Sequence, residues 1–489
     1  MQSKIAHAAE RKAFEVALDK ALKTVSGPDR EKNVMKFLDM AAKLLKDTNP
    51  GATRGMKAAI YPGSKWEQYL FSIIDETDPN VLRTTILTGG YEAAFRGLRN
   101  TTENAVKYQC NVPWIILFDP TSACNKHCVG CWAAEYGNRL NLTYDEMDKL
   151  VTEAEALGTH LFMLTGGEPL VRKADVLKLA EAHHDSLFNI FTNASLVDEP
   201  FCKEVQRLGN IIFSVSLESY EPTVNDGRRG EGSFQQVMDA FDLMHKYGLF
   251  YGTSTCYTRA NVERVSSDEF MDLIIAKGCR YAWYFHYMPV GDGANADLMP
   301  TIEQREYMFH RIREVRAVEG GKPIFAMDFQ NDGEYVGGCI AGGRAYCHIN
   351  ARGDVEPCVF IHYSNVNIRD MSWLDCLHQP IFQAYRERYP WNDNMLQPCP
   401  MLENPYILPD IVKESEAKSS DYTSPETAQQ LCERTAPYAK EWAPQAKELW
   451  LDEHPTGKKI YEDSMSCEKL ELKAQKIAEE DAEDETVLD

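Results

Sequence analysis

The sequence lacks any apolar segment long enough to cross a membrane. Hydrophobic residues make up 44% of the 489 positions, but no uninterrupted apolar run approaches the roughly 20 residues that a spanning helix needs. The opening stretch, MQSKIAHAAERKAFEVALDK, is charged throughout and lacks the apolar core and cleavage site of a signal peptide. We therefore expect no transmembrane segment and a cytoplasmic location.

Basic residues are too few for a protein that binds nucleic acid. The chain has 52 Lys and Arg against 74 Asp and Glu, a net charge of −22, whereas binding to phosphates requires a basic surface. No nucleic-acid partner is expected. Much of the acidic excess lies in the last residues, LKAQKIAEEDAEDETVLD, so the middle of the chain is less acidic.

Disulfide bonds are not expected despite 14 cysteines, because cytosolic thiols are kept reduced. These cysteines are better interpreted as metal ligands, catalytic thiols or small buried hydrophobes. The length of the chain predicts two or three packed units.

The first unit, residues 1–108, is predicted to be a helical N-terminal domain. The segments AFEVALDKALKTV and VMKFLDMAAKLLKD carry apolar residues at spacings of three and four, and Gly27-Pro28 separates them. Basic residues outnumber acidic ones over residues 1–60. This excess is typical of a solvated helix face, or of a surface for a lipid or another acidic, partly apolar ligand.

Residues 109–300 alternate between short β-rich runs and helical segments. Strands that alternate with helices of this length predict βα units and a parallel sheet, here an open, TIM-like (β/α)6 partial barrel of the α/β class. A linking helix over 301–335, a small Cys-rich β-hairpin domain over 336–404 and a helical, partly disordered acidic tail over 405–489 are expected to follow. The six β-rich runs are WIILFD, HLFMLT, FNIFT, NIIFSVSL, LFYGTSTC and YAWYFHYM.

Three cysteines directly follow the first of these runs. Cys124, Cys128 and Cys131 are spaced C-x3-C-x2-C, and the loops after the strands of such a barrel build its active site. Three thiolates can hold three corners of an iron–sulfur cube and leave the fourth iron without a protein ligand. The alternatives are a zinc site, for which only His127 is a nearby additional ligand, or three buried thiols.

The second run is followed by TGGEPL, which starts at Thr165. Two glycines allow a close backbone approach at a strand end, and the Glu168 carboxylate can accept hydrogen bonds from an ammonium group.

The pair CNKHCVGC and TGGEPL on a six-unit βα chain resembles the radical S-adenosylmethionine (SAM) superfamily. The resemblance implies that Cys124, Cys128 and Cys131 hold a [4Fe-4S] cluster. Gly166, Gly167 and Glu168 would then bind SAM, which chelates the open iron and is cleaved to methionine and a 5′-deoxyadenosyl radical. Relatives usually carry an aromatic residue before the third cysteine, where this chain has Gly130. Trp132 either replaces that aromatic residue or packs internally.

Later strand ends supply further predicted SAM contacts. Ser214, Ser216 and Glu218 share one face of the fourth strand, and Arg228 or Arg229 is placed to pair with the SAM carboxylate, unless both lie in a solvated turn. The segment YMPVG resembles the one whose backbone meets adenine in relatives. Cys256 is either a hydrogen-atom donor to a substrate radical or an inert buried thiol. The predicted cofactor-binding residues are Gly166, Gly167, Glu168, Asn193, Ser216, Glu218, Arg228 and Trp132.

A second cysteine group lies in the 336–404 segment. Cys339, Gly353 and Cys358 resemble the opening of the SPASM and Twitch extensions, which carry auxiliary [4Fe-4S] clusters. Adding Cys347 and Cys399 gives the four thiolates of one fully ligated cluster, or of a tetrahedral zinc site. A full SPASM domain has a dense later run of cysteines, whereas here the later ones are scattered as Cys376, Cys399, Cys432 and Cys467. One auxiliary cluster, as in a Twitch domain, is the better prediction.

The resemblance implies a radical SAM enzyme that takes an electron from a reductant such as flavodoxin or ferredoxin and abstracts hydrogen from a substrate. The substrate is a peptide, a cofactor precursor or a lipid, which leaves a peptide maturase and a lipid-modifying enzyme as alternatives. The non-enzymatic alternatives are an iron–sulfur electron-transfer protein and a zinc-stabilised binding protein. Glu168 argues against an electron carrier, because such a protein has no use for an amino-acid-binding loop.

Overall fold

The computed structural model describes residues 4–25, 27, 29–45, 58–133, 140–291, 293–421 and 423–454. The acidic end of the predicted tail and Cys467 lie outside these residues. Among the described helices, none is both long enough and apolar enough to cross a bilayer.

Parallel strands form the centre of the molecule. The six runs predicted from the sequence are confirmed as β1 to β6, and the sheet has further strands at both edges. Its order is β7-β6-β5-β4-β3-β2-β1-β8-β9, and every neighbouring pair is parallel except β8 with β9. The strands are β1 Ile115–Phe118, β2 Leu161–Leu164, β3 Leu187–Thr192, β4 Ile211–Ser216, β5 Tyr251–Tyr257, β6 Tyr281–His286, β7 Phe325–Asp328, β8 Tyr346–Ile349 and β9 Val355–Glu356.

Helices described before β1 match the predicted helical N-terminal region. The first helix ends at Val25 and the second begins at Arg30, on either side of the predicted Gly-Pro break. A π-helical stretch, Ile86–Gly97, lies between the fourth helix and the fifth. The α-helices here are α1 Lys4–Val25, α2 Arg30–Leu45, α3 Lys65–Glu76, α4 Pro79–Thr85 and α5 Leu98–Tyr108.

Amphipathic helices connect the parallel strands, as the alternation of the sequence predicts. The first of them begins with a capping box, in which Thr143 and Glu146 satisfy each other's backbone amides. Their apolar faces pack on the sheet and form one core with it. These helices are α6 Tyr144–Glu155, α7 Lys173–Ala182, α8 Glu199–Leu208, α9 Pro222–Arg229, α10 Ser233–Lys246, α11 Val262–Val265, α12 Asp268–Ala276 and α13 Ile302–Val315, with 3-10 turns at Pro169–Arg172, Ala296–Leu298 and Gly333–Val336.

The C-terminal region is helical, as predicted, but its last described helix is packed against the protein rather than extended. The Trp442 ring is fully buried and its Nε1 donates to the Leu396 carbonyl. Pairing of β8 with β1 attaches this region to the barrel. Its remaining elements are β10 Tyr363–Ser364, α14 Trp373–Leu377, α15 Pro380–Arg388, α16 Ile407–Ser415, β11 Lys418–Ser419 and α17 Ala428–Glu453.

Candidate active site at the carboxyl ends of the strands

The three clustered cysteines lie on the loop after β1, at the carboxyl ends of the parallel strands. Cys124 is exposed, and Cys128 and Cys131 are half-buried. Although part of Cys124 is exposed, the surrounding protein removes water from its thiol and raises the pKa to about 11. A bound metal would reverse this effect, since metal ligands are deprotonated.

Backbone amides already point at these sulfur atoms. The amide of Lys126 donates to the thiol of Cys124, and that of Ala133 donates to Cys131, in each case two residues further along the chain. Such bonds stabilise a thiolate and lower its pKa. The loop therefore fits a group that is held by thiolates.

The Gly-Gly-Glu loop after β2 packs directly against the cysteine loop. Glu168 donates its amide to the Ala123 carbonyl at 2.7 Å. A Cβ atom at Gly167 would lie 2.1 Å from that same carbonyl oxygen, and one at Gly166, where φ is +102°, would lie 2.5 Å from the Thr121 carbonyl oxygen. Both glycines are therefore required for the two loops to meet, and the close backbone approach expected from the sequence is that of the cysteine loop.

Glu168 is buried and held rigidly. Its carboxylate accepts hydrogen bonds from the Thr192 hydroxyl at 2.7 Å, the Asn193 amide at 2.8 Å and the Leu170 amide at 3.0 Å. Burial nevertheless raises its pKa, against the effect of these bonds. An ammonium group in contact with this carboxylate would lower the pKa again.

Two arginines at the end of α9 share the Glu218 carboxylate. Arg228 lies 2.9 Å from Oε2, and Arg229 donates its Nε to Oε1 at 3.1 Å. Glu218 is thus a counter-ion buried behind the arginines, rather than the direct SAM contact that the sequence predicted. The group keeps one net positive charge, and Nη1 of Arg229 donates to the Cys128 sulfur at 3.8 Å. Burial alone would lower the pKa of Arg229, but the neighbouring carboxylate and thiol raise it.

Two aromatic residues stand beside the cysteine loop. Trp132 packs edge-on against His348 and Phe360, with ring centroids 6.0 Å and 6.3 Å apart, which supports internal packing, although it also lines the cavity. The sequence pointed to the backbone of the YMPVG segment but not to the ring of its first residue, Tyr287, whose Cε2 atom lies 2.7 Å from the position of a Cβ at Gly130. The ring of Tyr287 therefore occupies space that a side chain at Gly130 would need.

One cavity of about 210 Å³ brings most of the predicted residues together. All three cysteines of the loop line it, and of the eight predicted cofactor-binding residues only Glu218 is absent from its wall. Ser214, predicted to share a face with Ser216, lies deeper and bonds to Asn189 and Tyr281. Residues that line the cavity include Cys124, Cys128, Cys131, Trp132, Gly166, Gly167, Glu168, Asn193, Ser216, Arg228, Arg229 and Cys256.

The second cysteine group contains three members rather than four. Cys339, Cys358 and Cys399 line one wall of a larger cavity, and each accepts a hydrogen bond from the backbone amide two residues further on. Each therefore has the same amide bond as Cys124 and Cys131. Three thiols with this arrangement fit a thiolate-held cluster.

Cys347 is not part of this group, so its assignment as a ligand is corrected. It lies on β8 between Tyr346 and His348, and alternation along a strand sends its side chain to the opposite face. Tyr346 lines both cavities, whereas the Cys347 thiol is fully buried and lies near the thiol of Cys376 in α14.

A tyrosine hydroxyl without a hydrogen-bond partner lies near the second cysteine group. The Tyr385 hydroxyl is buried and has no hydrogen-bond partner, and it lies within electrostatic reach of the thiols of Cys339, Cys358 and Cys399. A buried donor without a partner costs about 1–3 kcal/mol. A bound cluster would give it a sulfur acceptor.

Comparison with known proteins decides the family. Residues 118–274, from the end of β1 into α12, match the radical SAM superfamily, and this span includes both the cysteine loop and the Gly-Gly-Glu loop. This span of the chain is a radical SAM domain. Such a domain makes the protein an enzyme and implies a [4Fe-4S] cluster and SAM as cofactors.

Relatives of this radical SAM enzyme have different functions. An AdoMet-dependent heme synthase of Methanosarcina barkeri is 23% identical over 286 residues, which cover 53% of this chain and 80% of the relative. The mycofactocin maturase MftC of Mycolicibacterium smegmatis is 28% identical over 265 residues, 51% of this chain and only 65% of the maturase. The solved structure of Streptococcus suis SuiB bound to the precursor peptide SuiA has a TM-score of 0.50 at 17% identity, and covers 60% of this chain and 71% of that one. This likeness shows the shared fold.

Proposed function

We propose that this enzyme reductively cleaves SAM in the cavity at the strand ends and uses the 5′-deoxyadenosyl radical to abstract hydrogen from a substrate. The observation that carries the proposal is that the three cysteines of one loop and the buried Glu168 carboxylate line the same 210 Å³ cavity. When bound, the cluster supplies the electron that breaks the sulfonium bond. A reductant of the flavodoxin or ferredoxin type replaces that electron.

The residues of the chain bind and orient SAM. Cys124, Cys128 and Cys131 hold the cluster, and Glu168 accepts hydrogen bonds from the SAM ammonium group. Arg228 and Arg229 together carry one more positive charge than their partner Glu218 neutralises, and this charge favours the SAM carboxylate.

Other lining residues complete the pocket. Asn193 and Ser216 offer polar groups to the ribose, and the rings of Trp132 and Tyr287 offer flat surfaces to the adenine. Cys256 on β5 has its thiol at the wall of the cavity, in a position to return a hydrogen atom to a substrate radical.

An auxiliary [4Fe-4S] cluster is proposed at Cys339, Cys358 and Cys399. These three residues would hold the cluster, which would supply an electron acceptor for the product radical or a binding site for the substrate. Zinc is the alternative occupant of these thiolates, and metal analysis with absorption spectra distinguishes the two, because iron–sulfur clusters colour the protein brown.

Reconstitution without oxygen tests the proposal. The protein is loaded with iron and sulfide, then given dithionite and SAM, and 5′-deoxyadenosine is measured. The Glu168→Gln variant tests the SAM site with little change of shape. A parent protein that holds iron but forms no 5′-deoxyadenosine would contradict the proposed reaction.

The maturase relative favours a peptide as a second candidate substrate. A peptide substrate would require polar partners for its backbone along the path to the SAM cavity. Whether such partners are present depends on the side chains that line the larger cavity, beside Cys339, Cys358 and Cys399.

A further inference from the structure

A second cavity of about 910 Å³ lies inside the barrel. The interior of a closed TIM barrel is normally filled by layers of side chains. Here the inward-facing residues at the amino-terminal halves of the strands surround open space instead. They include Ile115 of β1, Leu161 of β2, Leu187 of β3, Ile212 of β4, Tyr281 of β6 and Phe325 of β7.

This cavity adjoins the SAM cavity. The two cavities share lining residues, and we call the narrow apolar region that they form between the cavities the waist. These residues include Ile115, Met163, Trp283, Phe329 and Tyr346. The six residues of β6 run from the first cavity to the second, about 17 Å at a rise of 3.3 Å per residue. The two cavities therefore follow the axis of the barrel.

The far end of the larger cavity reaches the surface. Phe325, Tyr335 and Val336 line it and are 46%, 60% and 53% exposed. A contiguous patch of exposed apolar side chains is typical of a place where an apolar partner or ligand binds. The opening lies at the amino-terminal ends of the strands, opposite the SAM cavity.

Polar groups along this path are already bonded within the protein. Both oxygens of Asp328 accept from the Tyr257 hydroxyl, and Oε1 of Gln330 accepts from the His286 amide. Arg316, the cation among the described lining residues, forms a bidentate pair with Asp332. Apart from the thiols of Cys339, Cys358 and Cys399 on one wall, where the auxiliary cluster is proposed, a ligand in this space meets mostly hydrocarbon and aromatic side chains.

We infer that the substrate of this enzyme presents an extended alkyl chain, which enters at the amino-terminal ends of the strands and runs along the barrel axis to the SAM cavity. The inference rests on the proposed function, since it names the substrate class of the same site. The chain places a C–H bond at the waist, where the 5′-deoxyadenosyl radical takes the hydrogen atom and leaves a carbon radical and 5′-deoxyadenosine.

An alkyl chain fits this path better than either class of substrate suggested by the relatives. A peptide would bury an N–H and a C=O at every residue, at several kcal/mol for each group left without a partner. A tetrapyrrole would bring carboxylates to a space whose described cation is already paired with Asp332. A hydrocarbon chain needs neither kind of partner.

Binding of neutral alkyl probes tests the inference. Hexanol, octanol, decanol and dodecanol are titrated into the anaerobically reconstituted protein by calorimetry. Each added methylene should tighten binding about fourfold, because burial of a CH2 group contributes about 0.8 kcal/mol. Ile212→Trp and Leu161→Trp, which fill the interior of the barrel, should each weaken decanol binding by about fourfold for every methylene displaced.

Matched measurements separate the possible failures. Leu98→Trp adds the same bulk at a partly exposed position of α5 and should leave decanol binding unchanged. 5′-Deoxyadenosine formation without substrate should persist in Ile212→Trp, since this position lies outside the wall of the SAM cavity. Decanol binding without SAM cleavage would overturn the proposed function and not the alkyl path, whereas cleavage without decanol binding would overturn the alkyl path alone.

Two further arms decide the class and the source of the ligand. Tighter binding of iron-coproporphyrin III than of decanol, with mutual competition, would overturn the inference in favour of a tetrapyrrole. Sedimentation with phosphatidylglycerol vesicles that is lost in Ile212→Trp would identify membrane lipid as the source of the chain. Decanol binding without vesicle binding would identify a free alkyl compound.

Discussion

The two cysteine groups differ in how the chain brings them together. Cys124, Cys128 and Cys131 come from one loop, beside a pocket that contains a buried carboxylate and two arginines. Cys339, Cys358 and Cys399 come from three separate segments and face a mostly apolar cavity. In both groups, backbone amides two residues ahead donate to sulfur. Five of these six thiols thus share one local backbone arrangement, whereas the side chains around them come from distant parts of the chain.

The largest effect is expected from removing the three cysteines of the loop after β1. Replacing Cys124, Cys128 and Cys131 together with Ala should abolish 5′-deoxyadenosine formation, because the other thiol in the cavity wall, Cys256, cannot replace three cluster ligands. Iron per chain should fall by one cluster equivalent in the same preparation. Cys202→Ala is the control, since this thiol is buried in α8 away from both groups. A triple variant with the iron content of the parent would contradict the assignment.

Replacing Glu168, the carboxylate beside the cysteine loop, should have the next largest effect. Glu168→Gln should weaken SAM binding by about 10- to 150-fold, since a hydrogen bond to a charged group contributes about 1.5–3 kcal/mol. Burial raises the pKa of Glu168, so its carboxylate is protonated at a higher pH than that of an ordinary glutamate. SAM affinity of the parent should therefore fall on acidification above the usual glutamate range.

The Gln variant is the control for this pH dependence. Its SAM affinity should lack the step that the parent shows, because the amide does not titrate. Equilibrium dialysis with labelled SAM across a pH series measures both proteins. Identical pH profiles in the two would show that Glu168 does not contact the ammonium group.

Replacing the second cysteine group, Cys339, Cys358 and Cys399, should affect turnover of the substrate more than cleavage of SAM. Ala at Cys339, Cys358 and Cys399 should remove one cluster equivalent of iron and leave 5′-deoxyadenosine formation within about tenfold of the parent, because these thiols lie outside the SAM cavity. Cys347→Ala is the matched comparison from the same segment and should keep all of its iron. Iron loss in Cys347→Ala equal to that of the triple variant would restore the four-cysteine assignment.

The sequence placed the first group on one loop after β1, where the structure has it, whereas it gave the second group a fourth member, Cys347. Strand periodicity and loop spacing are local properties, so the order β1 to β6 and the two loops that follow β1 and β2 could be predicted from them. The pairing of β8 with β1 joins segments about half the chain apart, and four-residue strands carry a weak periodic signal. The pattern of Cys339, Gly353 and Cys358 did not require Cys347, but without that pairing the sequence could not show that its side chain lies on the other face of a strand.

The surroundings of both groups also depend on distant contacts. Glu218 was predicted as a SAM contact because it follows a strand. In the structure its carboxylate instead forms ion pairs with the two arginines of α9. Tyr287 occupies space beside Gly130 through the packing of β6 against the cysteine loop. The open interior of the barrel is a property of packing around the whole sheet, which no single stretch of sequence encodes.

The smallest expected effect concerns Tyr385. Its hydroxyl has no partner in the described structure, so Tyr385→Phe should leave the melting temperature of metal-free protein unchanged or slightly higher. In the loaded enzyme the same change removes a hydrogen-bond donor near the auxiliary site, and the reduction potential of that cluster should become more negative, as measured by a potentiometric titration followed by electron paramagnetic resonance. Tyr251→Phe is the control, because its hydroxyl donates to the Lys277 carbonyl at 2.6 Å: it should lower the melting temperature and leave both potentials alone. Equal potentials in the parent and Tyr385→Phe would show that the phenol does not face the cluster.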